Sequence, residues 1–293
     1  MLTNELIKKI RRIQIRTTHL VSNAMAGQYH SAFKGRGMEF EEVRPYQLGD
    51  DVRTIDWNVS ARTGAPHVKL FREERELTVM LAVDLSRSQF FGSNGQLKRE
   101  LVAELAATIA FSAIRNNDKV GLLCFTDRVE RYVPPRKGTR HVLRIIRELL
   151  TIQPVGRRTD ISAAMDELNR VLKRRSVLFI VSDFQDSDYE HSLRIARRKH
   201  DVIPVIDSDQ REELLPDVGL IELTDQESGQ RVMVDTSSRK VRQRYAAARH
   251  EERASRKQAF RRMRLEPVEI RTGESFVEPL TDYFRKRERR RSR

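Results

Sequence analysis

Cysteine is nearly absent from this sequence. Cys124 is the only one, and it sits in the apolar run GLLCF, so neither a disulfide framework nor a thiolate zinc cluster is available within one chain. Long apolar runs are also missing. No window approaches the roughly 18 consecutive apolar residues of a membrane-spanning helix. The first residues, MLTNELIKKIRRIQIR, alternate apolar with basic side chains and lack the apolar core of a secretory signal. The cytoplasm is the expected compartment. No G-x-x-x-x-G-K-[ST] occurs, and GRG at Gly35 is not followed by one, so nucleotide hydrolysis would belong to a partner. The histidines (His19, His30, His67, His141, His191, His200 and His250) include no pair at the i, i+4 spacing of a zinc helix and read as surface or satisfied polar groups.

What is plentiful is charge. Of 293 residues, 33% are charged and 39% hydrophobic, enough to build a core under a dense ionic surface, and the net charge is +14. The excess is local. From Ser238 to Arg264, nine Arg and two Lys stand against two Glu; from Arg285 to Arg293, six Arg and one Lys stand against one Glu. Those stretches carry the whole surplus and leave the remainder close to neutral. A clustered basic helix and tail suit nucleic acid, an acidic protein or an anionic membrane surface. They equally suit a solvated helix face followed by a frayed tail. Nucleic acid is the less favoured partner: aromatic residues make up only 6% of the chain, so stacking platforms are scarce, and no recognised nucleic-acid motif is present.

The first twenty residues predict an amphipathic helix, with Leu2, Leu6, Ile10 and Ile13 on one face. Gly27 to Gly37 is small and polar and predicts an exposed loop. The stretch from Gly37 to Glu76 is rich in turn residues and predicts short strands without a core of their own; Trp57 is expected to anchor its packing. Arg44, Asp50, Asp51, Arg53 and Asp56 are expected to form an ion-pair network that fixes this block to the rest. From Leu77 the pattern changes. Apolar strands at Leu77–Leu85, Lys119–Phe125, Val177–Ser182 and Asp201–Ile206 alternate with helical spacing at Leu97–Ile114, Val142–Ile152, Ile161–Leu172 and Tyr189–Lys199. A strand follows at Arg128–Val133, a hairpin at Leu220–Thr224 and Arg231–Asp235, a long basic helix at Ser238–Leu265, a strand at Val268–Arg271 and a closing helix at Phe276–Arg289. Wholly apolar strands between helices of ten or more residues predict a doubly wound, mostly parallel α/β sheet covered on both faces. Ligands of such folds bind at the carboxyl ends of the strands.

Three strand ends carry suitable groups. In MLAVDLSRSQFFG an apolar strand delivers Asp84, followed by Ser86 and Ser88. In VSDFQD the strand Val177–Ser182 delivers Asp183. The loop VGRRTDIS offers Thr159 and Asp160. These residue types admit three readings: a nucleophilic aspartate, helix caps and a metal site. The nucleophile reading is weak, because phosphoryl-transfer sites of that kind add a second acid two residues on, and here that residue is Ser86. Two carboxylates and three hydroxyls, all oxygen, suit a hard divalent cation (Mg²⁺, or else Mn²⁺ or Ca²⁺) and not zinc. Such a cation would keep net positive charge and an open position for a carboxylate from a partner.

DLSRS resembles the D-x-S-x-S motif that begins the metal-ion-dependent adhesion site of von Willebrand factor A-like domains. The resemblance implies Asp84, Ser86, Ser88, Thr159 and Asp183 as metal ligands, Asp183 through water, in a Rossmann-like domain over roughly residues 77–289. A second resemblance is more specific. GRGMEFEEVRPYQLGDDVRTIDWNVSAR, with the later LTDQESGQ, VDTS, EIRTGES and PLTDYFRKR, resembles the bacterial family called domain of unknown function 58, of the short soluble type. It implies an N-terminal helix and signature block over 1–76, an A-like domain over 77–284 that includes the long basic helix, and a basic tail over 285–293. It also implies a non-enzymatic adaptor that works with a MoxR-type AAA+ ATPase and an unknown client.

Overall fold

The computed structural model describes residues 4–21, 26–33, 39–72, 76–93, 95–186, 188–224 and 229–291. In chain order they form α1 (Asn4–Leu20), α2 (Ala26–Phe33), β1 (Glu39–Pro45), α3 (Trp57–Thr63), β2 (His67–Arg72), β3 (Thr78–Asp84), α4 (Lys98–Arg115), β4 (Lys119–Phe125), β5 (Val129–Arg136), α5 (Thr139–Thr151), α6 (Ile161–Val171) and β6 (Val177–Ser182). There follow α7 (Tyr189–Lys199), β7 (Asp201–Ser208), the one-turn α8 (Gln210–Glu213), β8 (Leu220–Thr224), β9 (Arg231–Asp235), α9 (Arg239–Arg262), β10 (Val268–Arg271) and α10 (Val277–Arg291).

The strands TVMLAVD and VLFIVS have no polar face, so each needs apolar cover on both sides. They receive it. Val79, Leu81 and Val83 face one core with α1, α2, α4, α5 and α10, while Met80 and Ala82 face the other with α6, α7 and the end of α9. The six-stranded sheet runs β10–β7–β6–β3–β4–β5. All neighbours are parallel except the edge strand β5, which is antiparallel to β4 and ends in Pro134 and Pro135. From β3 the chain steps to β4 and β5 on one side, then returns to β6 on the other. The order reverses between β3 and β6, and doubly wound sheets open a ligand crevice at the carboxyl ends of such a pair.

The doubly wound sheet is as predicted, with four differences of detail. Gly27 to Gly37 is not simply a loop: Tyr29, Ala32 and Phe33 fall at helical spacing, and α2 buries all three in the core. The Tyr29 hydroxyl donates to Asp118 Oδ2 at 3.0 Å, and Arg287 of α10 stacks 4.7 Å from the Phe33 ring centre. Residues 34–37 of that expected loop, and Leu2 of the first helix, lie outside the described residues. The second difference concerns the tail expected from Arg285, which continues α10 to Arg291; Arg287 is tied there to Asp201 and to the Ala32 carbonyl.

Third, Trp57 is 72% exposed and anchors nothing. Asp56 caps α3 through the Asn58 and Val59 amides, which makes Trp57 the first residue of a helix held to β2 by Ser60 and by an Asp56–Lys69 ion pair. Fourth, the expected ion-pair network is a set of separate local contacts. Arg44 grips Asp50 with two 2.7 Å hydrogen bonds, and Asp51 caps the turn Val52–Thr54.

Candidate metal centre

Strand register builds the site. Val83 pairs with Val181, so Asp84 and Ser182 are neighbours one step further on. The Ser182 hydroxyl donates to Asp84 Oδ2 at 2.7 Å. Beyond the strand the chain turns back, and the Ser86 amide donates to Asp84 Oδ1 at 2.7 Å. That turn sets the Ser86 and Ser88 hydroxyls 3.1 Å apart, and the Ser88 hydroxyl is near enough to Asp183 to favour its charged form. The Thr159 hydroxyl donates to Asp84 Oδ2 at 3.2 Å. All five residues singled out in the sequence therefore gather in one cluster at the β3/β6 crevice, Asp84 and Thr159 and the two serines through hydrogen bonds and Asp183 through its proximity to Asp84 and Ser88. Asp160 does not join it; its carboxylate caps α6 through the Ala163 amide at 2.8 Å. Capping and site-facing roles are divided between adjacent residues.

The loop that carries Thr159 is held by Glu130, whose Oε1 accepts from the Val155 and Gly156 amides (3.1 and 2.7 Å) and from the Thr126 hydroxyl (2.8 Å). Gly156 passes so close to Thr126 that a β-carbon there would lie 2.0 Å from Oγ1 and 2.2 Å from Asp127 Oδ1. Gly156→Ala is expected to push the loop outward and lower the melting temperature by several degrees, on the order of 1–3 kcal/mol for an overpacked buried site. An unchanged melting temperature would contradict this close approach.

One residue the sequence pattern hid dominates the electrostatics. Lys98, the first residue of α4, is fully buried. Its ammonium lies 3.0 Å from Asp183 Oδ2, 3.0 Å from Glu212 Oε1 and 3.6 Å from Asp207 Oδ2. The start of a helix is the wrong end for a cation, so these carboxylates decide its position. Parallel register explains why they meet: Ser182 lies opposite Ile206, and the next residues are Asp183 and Asp207. Gln89 donates to Asp207 Oδ2 at 2.8 Å. The cue was present as an apolar strand that ends in aspartate at IDSD, repeating VLFIVSD and MLAVD.

Burial, and then the neighbouring Asp183 carboxylate, push the Asp84 pKa up to about 7 against the hydrogen bonds from Ser86 and Ser182. Burial pulls at Lys98 as well, but the carboxylates around it outweigh that and hold its pKa above the ordinary lysine value. Asp183 is buried too, yet Lys98 and the Ser88 hydroxyl keep its pKa low. Asp207 and Glu212 are raised, chiefly by burial.

The cluster fits a hard divalent cation. Adjacent ligands in an octahedron with bonds of about 2.1 Å stand about 3.0 Å apart, and the Ser86–Ser88 and Thr159–Asp84 oxygen pairs lie 3.1 and 3.2 Å apart. The donors are all oxygen, and the burial that raises the Asp84 pKa favours a cation beside it as well as a proton on it. Among the described residues no group of three or more His, Cys, Asp or Glu side chains is gathered to hold a metal. A cation at Asp84 would therefore depend on hydroxyl ligands.

A mostly parallel sheet with one antiparallel edge strand, helices on both faces and an Asp-x-Ser-x-Ser turn at its switch point make this a doubly wound α/β domain, consistent with the von Willebrand factor A-like resemblance of its sequence. The sequence model of the family described as "Protein of unknown function DUF58" matches residues 42–255, and the chain belongs to that family. It is 35% identical over 228 residues to the uncharacterized protein Rv1480 of Mycobacterium tuberculosis, covering 77% of this chain and 72% of the relative. It is 25% identical over 181 residues to the uncharacterized protein YeaD of Bacillus subtilis, covering 60% of this chain and 40% of the relative. Among solved structures it is similar to BatB from Bacteroides thetaiotaomicron, at 15% identity over 73% of this chain and 99% of that one, with a TM-score of 0.49. It is also similar to the SpRpn10 VWA domain, at 12% identity over 71% of this chain and 95% of that one, with a TM-score of 0.36. No helix among the described residues is long and apolar enough to cross a membrane.

Proposed function

We propose that this chain is a non-enzymatic, cytoplasmic interaction module that holds Mg²⁺ through Asp84, Ser86, Ser88, Thr159 and Asp183. When bound, the cation supplies net positive charge and an open position for a glutamate or aspartate of a partner. Asp84 and the three hydroxyls would orient it, and Lys98 holds Asp183 on the side of the cluster that faces β7 and α8. The partner we propose is a MoxR-type AAA+ ATPase with its client, in keeping with the absence of a phosphate loop in this sequence. The observation that carries the reading is the convergence of the five side chains from three separate turns in one cluster. Hydrolysis through an aspartyl phosphate is disfavoured, because the residue two beyond Asp84 is Ser86, which cannot act as the second acid.

The test is capture of the ATPase by the full chain. Wild type is expected to retain it in Mg²⁺ and release it in EDTA. Asp84→Ala is expected to keep a folded circular dichroism spectrum and capture nothing in either buffer. Capture by Asp84→Ala in EDTA would overturn the proposal.

A further inference from the structure

At the end of the sheet opposite Asp84, the amino ends of β6 and β7 meet the carboxyl ends of α7 and α9 and the last turns of α10. They border an open-mouthed cavity of about 570 Å³, within the range of small-molecule pockets. Eight of its lining residues are arginines. Four of these are paired: Arg194 and Arg262 share Glu190, Arg287 is held by Asp201, and Arg290 by Glu266. The other four, Arg175, Arg197, Arg198 and Arg264, are exposed and have no carboxylate in ion-pair reach among the described residues. Arg264 stands in the turn after α9 at φ +53°, a left-handed conformation that a side chain rarely adopts. The two helix ends aimed at the cavity bring about half a negative charge each, too little to balance four guanidiniums.

His200 supplies the second, independent observation. It lines the cavity and is 1% exposed. Its Nδ1 accepts from the Ser176 amide at 3.2 Å, which places the ring proton on Nε2. That Nε2–H has no acceptor among the described residues. Burial, with Lys199 and Arg175 nearby, holds the ring pKa down to about 4, so the imidazole is a neutral donor. A buried donor without an acceptor is costly, and an oxyanion seated against the ring would supply what it lacks.

We propose that this cavity binds a small ligand carrying clustered phosphates, a di- or triphosphate group, through Arg175, Arg197, Arg198, Arg264 and the His200 Nε2–H. Guanidinium forks match phosphate oxygens two at a time, and four free forks require a polyanion rather than a single carboxylate. The size of the cavity argues for a small ligand. A nucleic-acid duplex presents its phosphates on a convex surface and does not follow a concave site of this size. The site shares no residue with the Asp84 cluster, so either proposal stands without the other.

Calorimetric titration of the full chain with inorganic triphosphate, in EDTA and at constant ionic strength, tests this. One saturable site is expected, weakened at least tenfold by Arg198→Ser and by Arg264→Gly, the second of which also relieves the left-handed backbone. His200→Phe, which keeps the ring volume and removes the donor, is expected to weaken it as well. Displacement of triphosphate by ATP would mark a nucleotide as the source; failure of ATP to compete would mark the free polyphosphate. Either supports the site. The proposal falls if triphosphate shows no saturable binding, if both arginine variants bind like wild type, or if a DNA duplex binds and triphosphate does not displace it.

Discussion

Lys98→Met is expected to lower the free energy of unfolding by about 3–5 kcal/mol, the usual cost of removing one partner from a buried ionic cluster. Methionine replaces the aliphatic stem but not the charge. Asp183, Asp207 and Glu212 would then face one another at the edge of parallel strands with no cation among them. The loss has a pH signature. With Lys98 present, Asp183 titrates below the ordinary aspartate value and adds stability above it. Without Lys98, only hydrogen bonds oppose burial at these carboxylates; the folded pKa of Asp183 is expected to rise, and those of Asp207 and Glu212, already raised, to climb further above the unfolded values. Such groups remove stability as pH rises, so the deficit should be small near pH 4 and full at pH 8. Urea denaturation at both pH values reads it out as a shift in midpoint. Equal midpoints for variant and wild type at pH 8 would show that the ammonium is not what holds these strand ends together.

The second large effect lies at Asp84. Its folded pKa of about 7 stands well above the ordinary value of 3.8. Between those two pH values the folded chain keeps a proton that the unfolded chain has released, so without a divalent cation stability falls as pH rises through that window. At about 1.4 kcal/mol per pKa unit, the cost at pH 8 is on the order of a few kcal/mol. Asp84→Asn removes the charge and keeps the shape. In EDTA at pH 8 it is expected to melt above wild type. Millimolar Mg²⁺ should raise the wild-type melting temperature at pH 8 and much less at pH 5, where a proton already neutralises Asp84. The stabilisation reaches about 2.7 kcal/mol when Mg²⁺ exceeds its dissociation constant a hundredfold. The variant should not respond. Equal Mg²⁺ responses in the two proteins would place the cation elsewhere.

Much of this arrangement was legible in the sequence because its physics is local. VLFIVS, bounded by charge on both sides, has no polar face and can only be a strand covered twice; Val177–Ser182 is that strand in the structure. Asp84, Ser86, Ser88, Thr159 and Asp183 could be singled out because each sits at or just beyond the end of a recognisable element. What stayed hidden depends on long-range register or on packing. Lys98 lies in QLKRE, which resembles a solvated first helical turn, and only the meeting of β6 with β7 reveals why it is buried. The α2 helix is too short for its periodicity to stand out beside Gly35 and Gly37. Trp57 was misplaced because aromatic size predicts burial on average, whereas the Asp56 cap decides the local outcome.

The prolines in β5 have a further effect. Pro134 and Pro135 leave β5 two amide donors short, one of them on its outer rim because successive amides of a strand point to opposite sides, and a rim with fewer donors is a poorer template for another chain. At the far rim, β10 offers only four residues, Val268–Arg271. Both margins of the six-stranded sheet therefore offer a foreign strand a shortened ladder. Edge-to-edge growth of this sheet is disfavoured, and copies of the domain crowded together have little means of zipping into fibrils through it.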